Sequence, residues 1–269
     1  MAKKARAKTR KYADILYEVK DQIAWITINR PRVMNAFREQ SLDEMIDAVK
    51  STREDPSIAA IVFKGAGNDA FSAGGDFYAM KRLNWTNGAM WNDRMQGLAM
   101  AIRGVPIPVI AMVNGVAAGA GANFALGCDI VIAAKSASFI QAFSKIGLIP
   151  DCGGTWLLPR LVGRAKAIGL AMTGDKLPAE AAERMGLIWA AVDDAALQDQ
   201  TLALAQRLAA MPVKALAATR RTIDASIMVD YASALSLEAR VQNDMGAQPD
   251  FREGVAAFLE KRAARFNDR

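Results

Sequence analysis

Histidine is absent from the 269-residue sequence. Its absence excludes Ser–His–Asp and Cys–His nucleophile pairs, a histidine general base and any histidine-bound metal. Cysteine is almost as scarce, because Cys128 and Cys152 are the only two. Two cysteines cannot form a structural zinc site by themselves, nor a disulfide framework. Acid–base chemistry in this chain must therefore come from carboxylates, lysine, tyrosine, cysteine or backbone groups.

Long hydrophobic runs and an even distribution of charge are also missing. No stretch of about 18 apolar residues occurs, so the sequence predicts no membrane-spanning helix. Basic residues outnumber acidic ones by 34 to 28, and residues 1–11 hold six of them and no acid. This segment lacks the apolar stretch of a secretory signal, so we expect a cytoplasmic protein. We interpret residues 1–11 as a basic disordered arm, with contact to RNA or another acidic surface and a targeting segment as alternatives.

Apolar runs separated by turn residues predict an α/β fold. β-Branched residues favour strands at 23–28, 59–63, 109–113, 130–134 and 137–141. Helical spacing predicts a helix over 41–52, in which Ser41 and Glu44 form a capping box. After residue 165 the pattern is helical apart from a short strand at 189–192, with the clearest helices at 197–210, 212–227, 231–245 and 251–264. Strands first and helices last predict an α/β core with a C-terminal helical extension.

Three segments of small residues follow predicted strands: 73–75 (AGG), 119–121 (GAG) and 153–154 (GG). Where such a segment opens a helix, its unpaired backbone N–H groups can be reached by a ligand. Two helix starts that meet at one point would form an oxyanion hole, which needs no titratable side chain. Each segment alone fits close helix–strand packing just as well, so only the three together indicate a site.

The order and content of these segments resemble the crotonase (enoyl-CoA hydratase/isomerase) superfamily over residues 12–265. The matching stretches are AWITINRPRVMNAF, AFSAGGD, PVIAMVNGVAAGAGANFALGCDIVIA, FSKIGLIPDCGGTWLLPRLVGRAKA and FREGVAAFLEKRAARF. The run GLIPDCGGTWLLPR looks most like 1,2-epoxyphenylacetyl-CoA isomerases and related enoyl-CoA isomerases. The resemblance implies a ClpP/crotonase-like spiral of ββα units over 12–195. It also implies a helical trimerisation region over 196–269, and so a homotrimer or a dimer of trimers.

The same resemblance assigns candidate roles to small residues of the first two segments. The two oxyanion-binding N–H groups fall on Gly75 and Ala120, where a backbone donor is sufficient. The path for the CoA part of the substrate falls on Ala73, Gly75, Asp76, Phe77 and Tyr78. From its spacing, Asp76 is also a candidate helix cap. The family implies no metal and no redox cofactor, and CoA enters only as part of the substrate.

Carboxylates distinguish the possible reactions. Hydratases of this family carry two glutamates at the positions of Asn123 and Phe143, which we count among the substrate contacts. Asp151 lies where isomerase relatives place an acidic base, although its position also suits a turn or a helix cap. Phe143 and Leu148 would give Asp151 apolar neighbours and raise its pKa.

We therefore expect an acyl-CoA isomerase that shifts a double bond, or isomerises a ring epoxide, with Asp151 as its single acid/base. One alternative is an enoyl-CoA hydratase in which Asn123 holds the water. An alternative of another class is an RNA-binding protein on a crotonase scaffold, which rests on residues 1–11 alone. Nucleic acid is the less favoured partner, and the sequence does not identify the acyl group.

Overall fold

A computed structural model describes residues 11–267, apart from the side chains of residues 85 and 86. The predicted basic arm therefore lies almost entirely outside the described residues. The strands are β1 Ile15–Lys20, β2 Ile23–Ile28, β3 Ala60–Gly65, β4 Ala70–Ser72, β5 Val109–Val113, β6 Val116–Ala118, β7 Ile130–Ala134, β8 Ser138–Ile140, β9 Lys176–Pro178 and β10 Ala190–Val192. The helices are α1 Glu39–Thr52, α2 Phe77–Met80, α3 Trp85–Gly104, α4 Ala120–Leu126, α5 Gly154–Thr173, α6 Ala179–Arg184, α7 Leu197–Ala209, α8 Val213–Ser226, α9 Tyr231–Gly246 and α10 Pro249–Leu259.

The strands form two sheets, and the chain passes repeatedly from the larger to the smaller one. The larger sheet has the order β1-β2-β3-β5-β7-β10 and the smaller one β4-β6-β8-β9. Each of β3, β5 and β7 is followed by a short strand of the smaller sheet and then by a helix. Within these turns the strands pair in parallel, while β1 and β9 pair antiparallel with their neighbours. This arrangement confirms the predicted spiral of ββα units.

The core explains why the middle of the chain is so apolar. Every residue of β5 is buried, as expected for a central parallel strand that is covered on both faces. Phe124 on α4 packs against three other rings, with centroid separations of 5.8 Å to Phe37, 4.9 Å to Phe63 and 5.9 Å to Phe71. Such aromatic contacts fix α4, and with it the start of that helix, against both sheets.

The predicted capping box is wrong. Helix α1 begins two residues before Ser41, whose hydroxyl donates to Asp14 Oδ2 at 2.7 Å. The Glu44 carboxylate instead accepts the backbone N–H groups of Ala13 and Asp14, both at 2.8 Å. The reason is tertiary: Ala13 and Asp14, which lie just before the unpredicted strand β1, pack against α1 and bind both of the expected capping side chains.

The C-terminal helices divide into a core helix and an outer group. Helix α7 packs on the larger sheet and buries Leu204 and Leu208, so the boundary expected at residue 196 lies within the packed core. Helix α8 buries Val213, Ala217 and Ala218, whereas α9 has no buried residue. Among the described residues, no helix combines the length and hydropathy needed to cross a bilayer.

Candidate active site

A cavity of about 270 Å³ lies where the first two small-residue segments meet, and the third segment, 153–154, is not part of its lining. It is lined by six of the predicted site residues: Ala73, Gly75, Phe77, Ala120, Phe143 and Asp151. A larger cavity of about 660 Å³ lies among α8, α9 and α10, but its lining is mostly apolar and includes none of the predicted site residues. The smaller cavity is therefore the candidate active site.

The N–H groups of Gly75 and Ala120 are available to a ligand. Among the described residues, neither donates a backbone hydrogen bond, and Ala120 is the first residue of α4. The two segments are in contact, because a Cβ atom added at Gly74 would lie 3.1 Å from the Ala120 nitrogen and 2.7 Å from the Ala118 oxygen. Gly74 has a φ of +87°, which only glycine adopts readily. Glycine at 74 thus keeps the space in front of the Ala120 N–H open.

Backbone bonds on both sides fix the position of Gly75. The Phe37 N–H donates to the Gly74 oxygen at 2.6 Å, and the Asp76 N–H donates to the Phe37 oxygen at 2.8 Å. Asp76 then caps α2, accepting the N–H groups of Tyr78 at 2.9 Å and Ala79 at 3.4 Å. The Gly75 N–H lies between these two anchored groups, and Gly75 itself lines the cavity.

Asp76 lies outside the lining of the cavity, so its expected place on the substrate path is not supported, whereas its role as a helix cap is confirmed. Its Oδ2 pairs with the guanidinium of Arg30 at 2.9 Å, and both side chains are largely buried. Burial alone would raise the pKa of Asp76, but the hydrogen bonds from Arg30 and from the two capping N–H groups outweigh it and lower the pKa. The carboxyl is thus held as an anion that anchors the Gly75 segment.

Asp151 is not a helix cap. Helix α5 has Gly153 at its N-cap, at a φ of +81°, with no side-chain hydrogen bond to the first turn. Asp151 instead lines the cavity together with Phe143 and Leu148, and its Oδ1 atom is buried without a hydrogen-bond partner among residues 11–267. Burial raises the pKa of Asp151 to about 6. This is the environment expected of a carboxyl group that exchanges protons near neutral pH.

Asn123 occupies a different place from the one expected. It is fully buried and does not line the cavity. Its amide nitrogen donates to the backbone oxygen of Asp151 at 2.9 Å, and its amide oxygen accepts from Gln141 at 2.9 Å. The structure does not place Asn123 in the cavity lining, because both ends of its amide bind protein groups behind the cavity wall, and its contact with substrate stays a prediction.

Two other aromatic residues lie away from the cavity. Tyr78 is 80% exposed and does not line it, so its place on the path for CoA stays a prediction. Trp156 lies against two guanidinium groups, with the Arg160 carbon 4.1 Å and the Arg103 carbon 5.1 Å from the ring centroid. It faces a separate cavity between α5 and α8.

Several lining residues were not identified from the sequence. Met80 on α2 and Trp91 and Met95 on α3 form an apolar wall opposite Phe143 and beside Gly75. The signal was present for α3, since residues 91, 95, 98 and 102 follow helical spacing and are all buried. Within residues 11–267, no group of three Cys, Asp or Glu side chains is close enough to hold a metal ion.

A spiral of ββα turns, followed by helices and enclosing two free backbone N–H groups beside a buried carboxyl group, defines a protein of the crotonase fold. The family model for enoyl-CoA hydratase/isomerase matches residues 18–269. The chain belongs to this enoyl-CoA hydratase/isomerase family.

Relatives in the family carry both activities in their names. A probable enoyl-CoA hydratase of Rhodobacter capsulatus is 46% identical over 96% of this chain and 99% of that protein. The 1,2-epoxyphenylacetyl-CoA isomerase of Escherichia coli is 43% identical over 94% of this chain and 97% of that protein. The crystal structure of an enoyl-CoA hydratase from Polaromonas sp. JS666 superposes with a TM-score of 0.90 at 31% identity, covering 94% of this chain and 99% of that one. Family membership therefore leaves both reactions open.

Proposed function

We propose that this protein isomerises an acyl-CoA thioester through an enolate, with Asp151 as the single acid/base. The observation that supports this proposal is the content of the cavity: among the described residues, Asp151 is the one titratable side chain in its lining. A single carboxyl group can remove a proton and return it elsewhere. Ordinary hydration needs one group to activate water and another route to deliver a proton to the adjacent carbon.

The proposed reaction uses the two backbone donors and the carboxylate in turn. The thioester carbonyl oxygen binds the N–H groups of Gly75 and Ala120. Asp151 then takes a proton from the carbon adjacent to the thioester carbonyl, and the negative charge moves to the oxygen held by the two donors. The protonated Asp151 returns the proton further along the acyl chain, or protonates the oxygen of an opening epoxide. No atom is gained or lost in either outcome.

Enoyl-CoA hydration is the second candidate, and the identity to the Rhodobacter capsulatus relative supports it. Against it, both ends of the Asn123 amide are already bonded, to Gln141 and to the Asp151 backbone, and Phe143 is apolar. Neither side chain can therefore act as the second acid or base that water addition needs. The proposal therefore favours isomerisation.

Isotope labelling separates the two reactions. A 3-enoyl-CoA incubated in D₂O is expected to give the conjugated isomer with partial deuterium exchange. A 2-enoyl-CoA in H₂¹⁸O is expected to give little labelled 3-hydroxyacyl product. Asp151→Asn provides the blank and is expected to lose at least about 10²-fold in kcat, the lower end of what a positioned base contributes. Fast ¹⁸O incorporation by the unaltered protein would favour the hydratase, and near-normal turnover by Asp151→Asn would exclude Asp151 as the base.

The RNA-binding alternative depends on the basic arm, most of which lies outside the described residues. Comparing RNA binding of the full chain and of a chain lacking residues 1–11, at low and at moderate salt, tests it directly. Salt-sensitive binding that disappears with the arm would support that alternative.

A further inference from the structure

Behind the wall of the candidate active site lies a chain of two buried amides that ends on Asp151. Gln141 is 4% exposed and Asn123 is completely buried. The Gln141 amide nitrogen donates to Asn123 Oδ1 at 2.9 Å, and Asn123 Nδ2 donates to the Asp151 backbone oxygen at 2.9 Å. Burying amides is unfavourable unless they are hydrogen-bonded. Both ends of the Asn123 amide are bonded, whereas Gln141 Oε1 is buried without a partner among the described residues.

The chain of amides has a direction. An amide has one donor end and one acceptor end, and the Asp151 carbonyl oxygen only accepts, so the NH₂ group of Asn123 lies toward it; the bond from the Gln141 N–H to Asn123 Oδ1 supports the same orientation. A carboxylate at position 123, as in the hydratases that the sequence resembles, offers only acceptors and could not make the second bond. Asparagine at 123 therefore holds the backbone of residue 151 in a way that glutamate could not.

Glycine at position 154 leaves room for the bond between Asn123 and the Asp151 carbonyl. A Cβ atom at Gly154 would lie 2.1 Å from Asn123 Nδ2 and 2.6 Å from its Cγ. The Gly154 N–H itself donates to the Asp151 oxygen at 2.8 Å. One carbonyl oxygen thus accepts from Asn123 and from the first residue of α5. Between them, Cys152 adopts a φ of +48°, which is unusual for a residue with a side chain.

We propose that Asn123 and Gln141 are positioning residues, which fix the Asp151 backbone so that its carboxyl group faces the cavity. The inference rests on the proposed role of Asp151 as the base. Its physical ground is that Asp151 Oδ1 has no hydrogen-bond partner among the described residues, and that the side chain bonded to the rest of the carboxyl group, Cys152, follows directly in the chain, so the backbone of this segment sets the place of the carboxyl group. An error of about 1 Å in the place of a reacting group can cost about 10²-fold in rate.

The test replaces the donor by an apolar side chain of similar size. Asn123→Leu is expected to lower kcat by about 10–100-fold while KM changes less than about threefold, since the Gly75 and Ala120 donors are untouched. A ¹³C titration of the Asp151 carboxyl group gives a second readout, independent of turnover. Its midpoint is expected to fall toward the ordinary aspartate value, because a released segment lets the carboxyl group reach water.

A matched control removes an equally bonded amide elsewhere. Asn114 accepts the Gly65 N–H at 2.9 Å and donates to the Gly67 oxygen at 2.8 Å, and it does not line the cavity. Asn114→Leu is expected to leave both kcat and the Asp151 midpoint unchanged. Equal losses in both variants would overturn the positioning role and indicate general destabilisation.

A third variant keeps the inference testable if Asn123→Leu does not fold. Gln141→Leu keeps the Asn123 amide but removes the bond that orients it, and a kcat loss of about 3–10-fold with the same midpoint shift is expected. If the variants that fold show wild-type kcat and midpoint, the inference is wrong although the proposed function still stands. If instead Asp151→Asn retains full activity, the proposed function fails first.

Discussion

At the scale of single residues, Asp151 combines burial with an unbonded oxygen, and that combination makes its charge state sensitive to pH. Burial raises its pKa to about 6, so the carboxylate form needed to accept a proton is depleted below that pH. We expect kcat/KM to rise with pH up to about 6 and to level off above it. A pH–rate profile with a 3-enoyl-CoA measures this, and a profile that is flat between pH 5 and 8 would contradict it.

The same pKa shift has a consequence for stability. Below pH 4 the carboxyl group is protonated in both the folded and the unfolded chain and contributes nothing. Between about pH 4 and 6 the carboxyl group has lost its proton in the unfolded chain but keeps it in the folded chain. The free energy of unfolding therefore falls across this range, and above pH 6 this group causes no further change. For a folded pKa of about 6, that loss amounts to about 3 kcal/mol.

Asp151→Asn is therefore expected to be more stable than the wild type at pH 8, by up to about 3 kcal/mol, and equally stable at pH 3.5. Urea unfolding of both proteins at the two pH values gives the difference, in which the contributions of other carboxyl groups cancel. A variant that is less stable at pH 8 would show that the Asp151 carboxylate is paired rather than isolated.

Gly74 offers a test of the oxyanion-binding N–H groups that alters neither of them. In Gly74→Ala the new Cβ atom would lie 3.1 Å from the Ala120 nitrogen and 2.7 Å from the Ala118 oxygen, so it crowds the Ala120 N–H and displaces the backbone next to it. We expect kcat to fall by about 10²–10³-fold, the usual loss for one such donor. Gly67→Ala is the control, because its φ is +75° but its Cβ would meet only Pro31, at 3.8 Å. Equal loss in both would indicate backbone strain rather than obstruction.

At the scale of elements, continuous apolar runs predicted their strands well, whereas the alternating strand β1 and three of the shortest strands were missed. Strands β2, β5 and β7 lie where their apolar runs placed them. Strands β4, β6 and β9 are three residues long, too short for an alternating pattern, and pairing in the smaller sheet defines them. The ββα spiral therefore came from the family resemblance and could not be derived from periodicity.

The site residues divide in the same way, into those that a motif identified and those that it did not. Gly75, Ala120 and Asp151 were placed in one cavity by motif resemblance, and the structure brings them together there. Asn123 lies behind the cavity lining, which the sequence could not show because it does not distinguish a buried amide from a solvent-facing one. Its contacts with Gln141 and the Asp151 carbonyl link elements that lie far apart in the chain, and no local pattern encodes them.

The start of α2 is anchored by an ion pair whose removal tests how firmly Gly75 is held. Arg30 pairs with Asp76, and the pair is mostly shielded from water. Breaking such a pair by removing one partner costs about 3–5 kcal/mol when it is fully buried, so Arg30→Met is expected to lower the free energy of unfolding by about 2–4 kcal/mol at pH 7. kcat is expected to fall as well, because the Gly75 N–H moves with Asp76.

The lowered pKa of Asp76 determines how the stability loss in Arg30→Met depends on pH. The pKa of Asp76 is lowered on folding, so the stabilisation is present above the ordinary aspartate value and is lost as the pH falls below it. The deficit of Arg30→Met should therefore shrink below about pH 3.8. Arg94→Met removes an ion pair with Asp43, whose side chain is 55% exposed, and is expected to cost no more than about 1 kcal/mol. A deficit in Arg30→Met no larger than in this control would show that the pair does not anchor α2.

At the scale of the whole molecule, several large apolar side chains on the outer helices α8, α9 and α10 are exposed to solvent. Phe258 is 83% exposed and Leu259 73% exposed at the end of α10, and Tyr231 at the start of α9 is 79% exposed. Helix α7, part of the expected trimerisation region, instead buries Leu204 and Leu208 in the core. Ten of the 23 exposed large apolar side chains among the described residues lie between residues 223 and 259, on α8, α9, α10 and the turn after α8. Clusters of this kind mark protein–protein contacts.

We accordingly keep the expectation of a homotrimer or a dimer of trimers, now assigned to α8–α10 and without α7. Sedimentation equilibrium is expected to give a mass about three or six times the 28.9 kDa of one chain. Phe258→Asp places a charge on the most exposed aromatic ring of this surface, and we expect it to shift the protein toward smaller species, since burying an unpaired charge in an interface is costly. The far-ultraviolet circular dichroism spectrum should stay unchanged, because Phe258 contributes little to the core of its own chain. A stable monomer of the unaltered protein at micromolar concentration would contradict the expectation and leave these helices without an assigned partner.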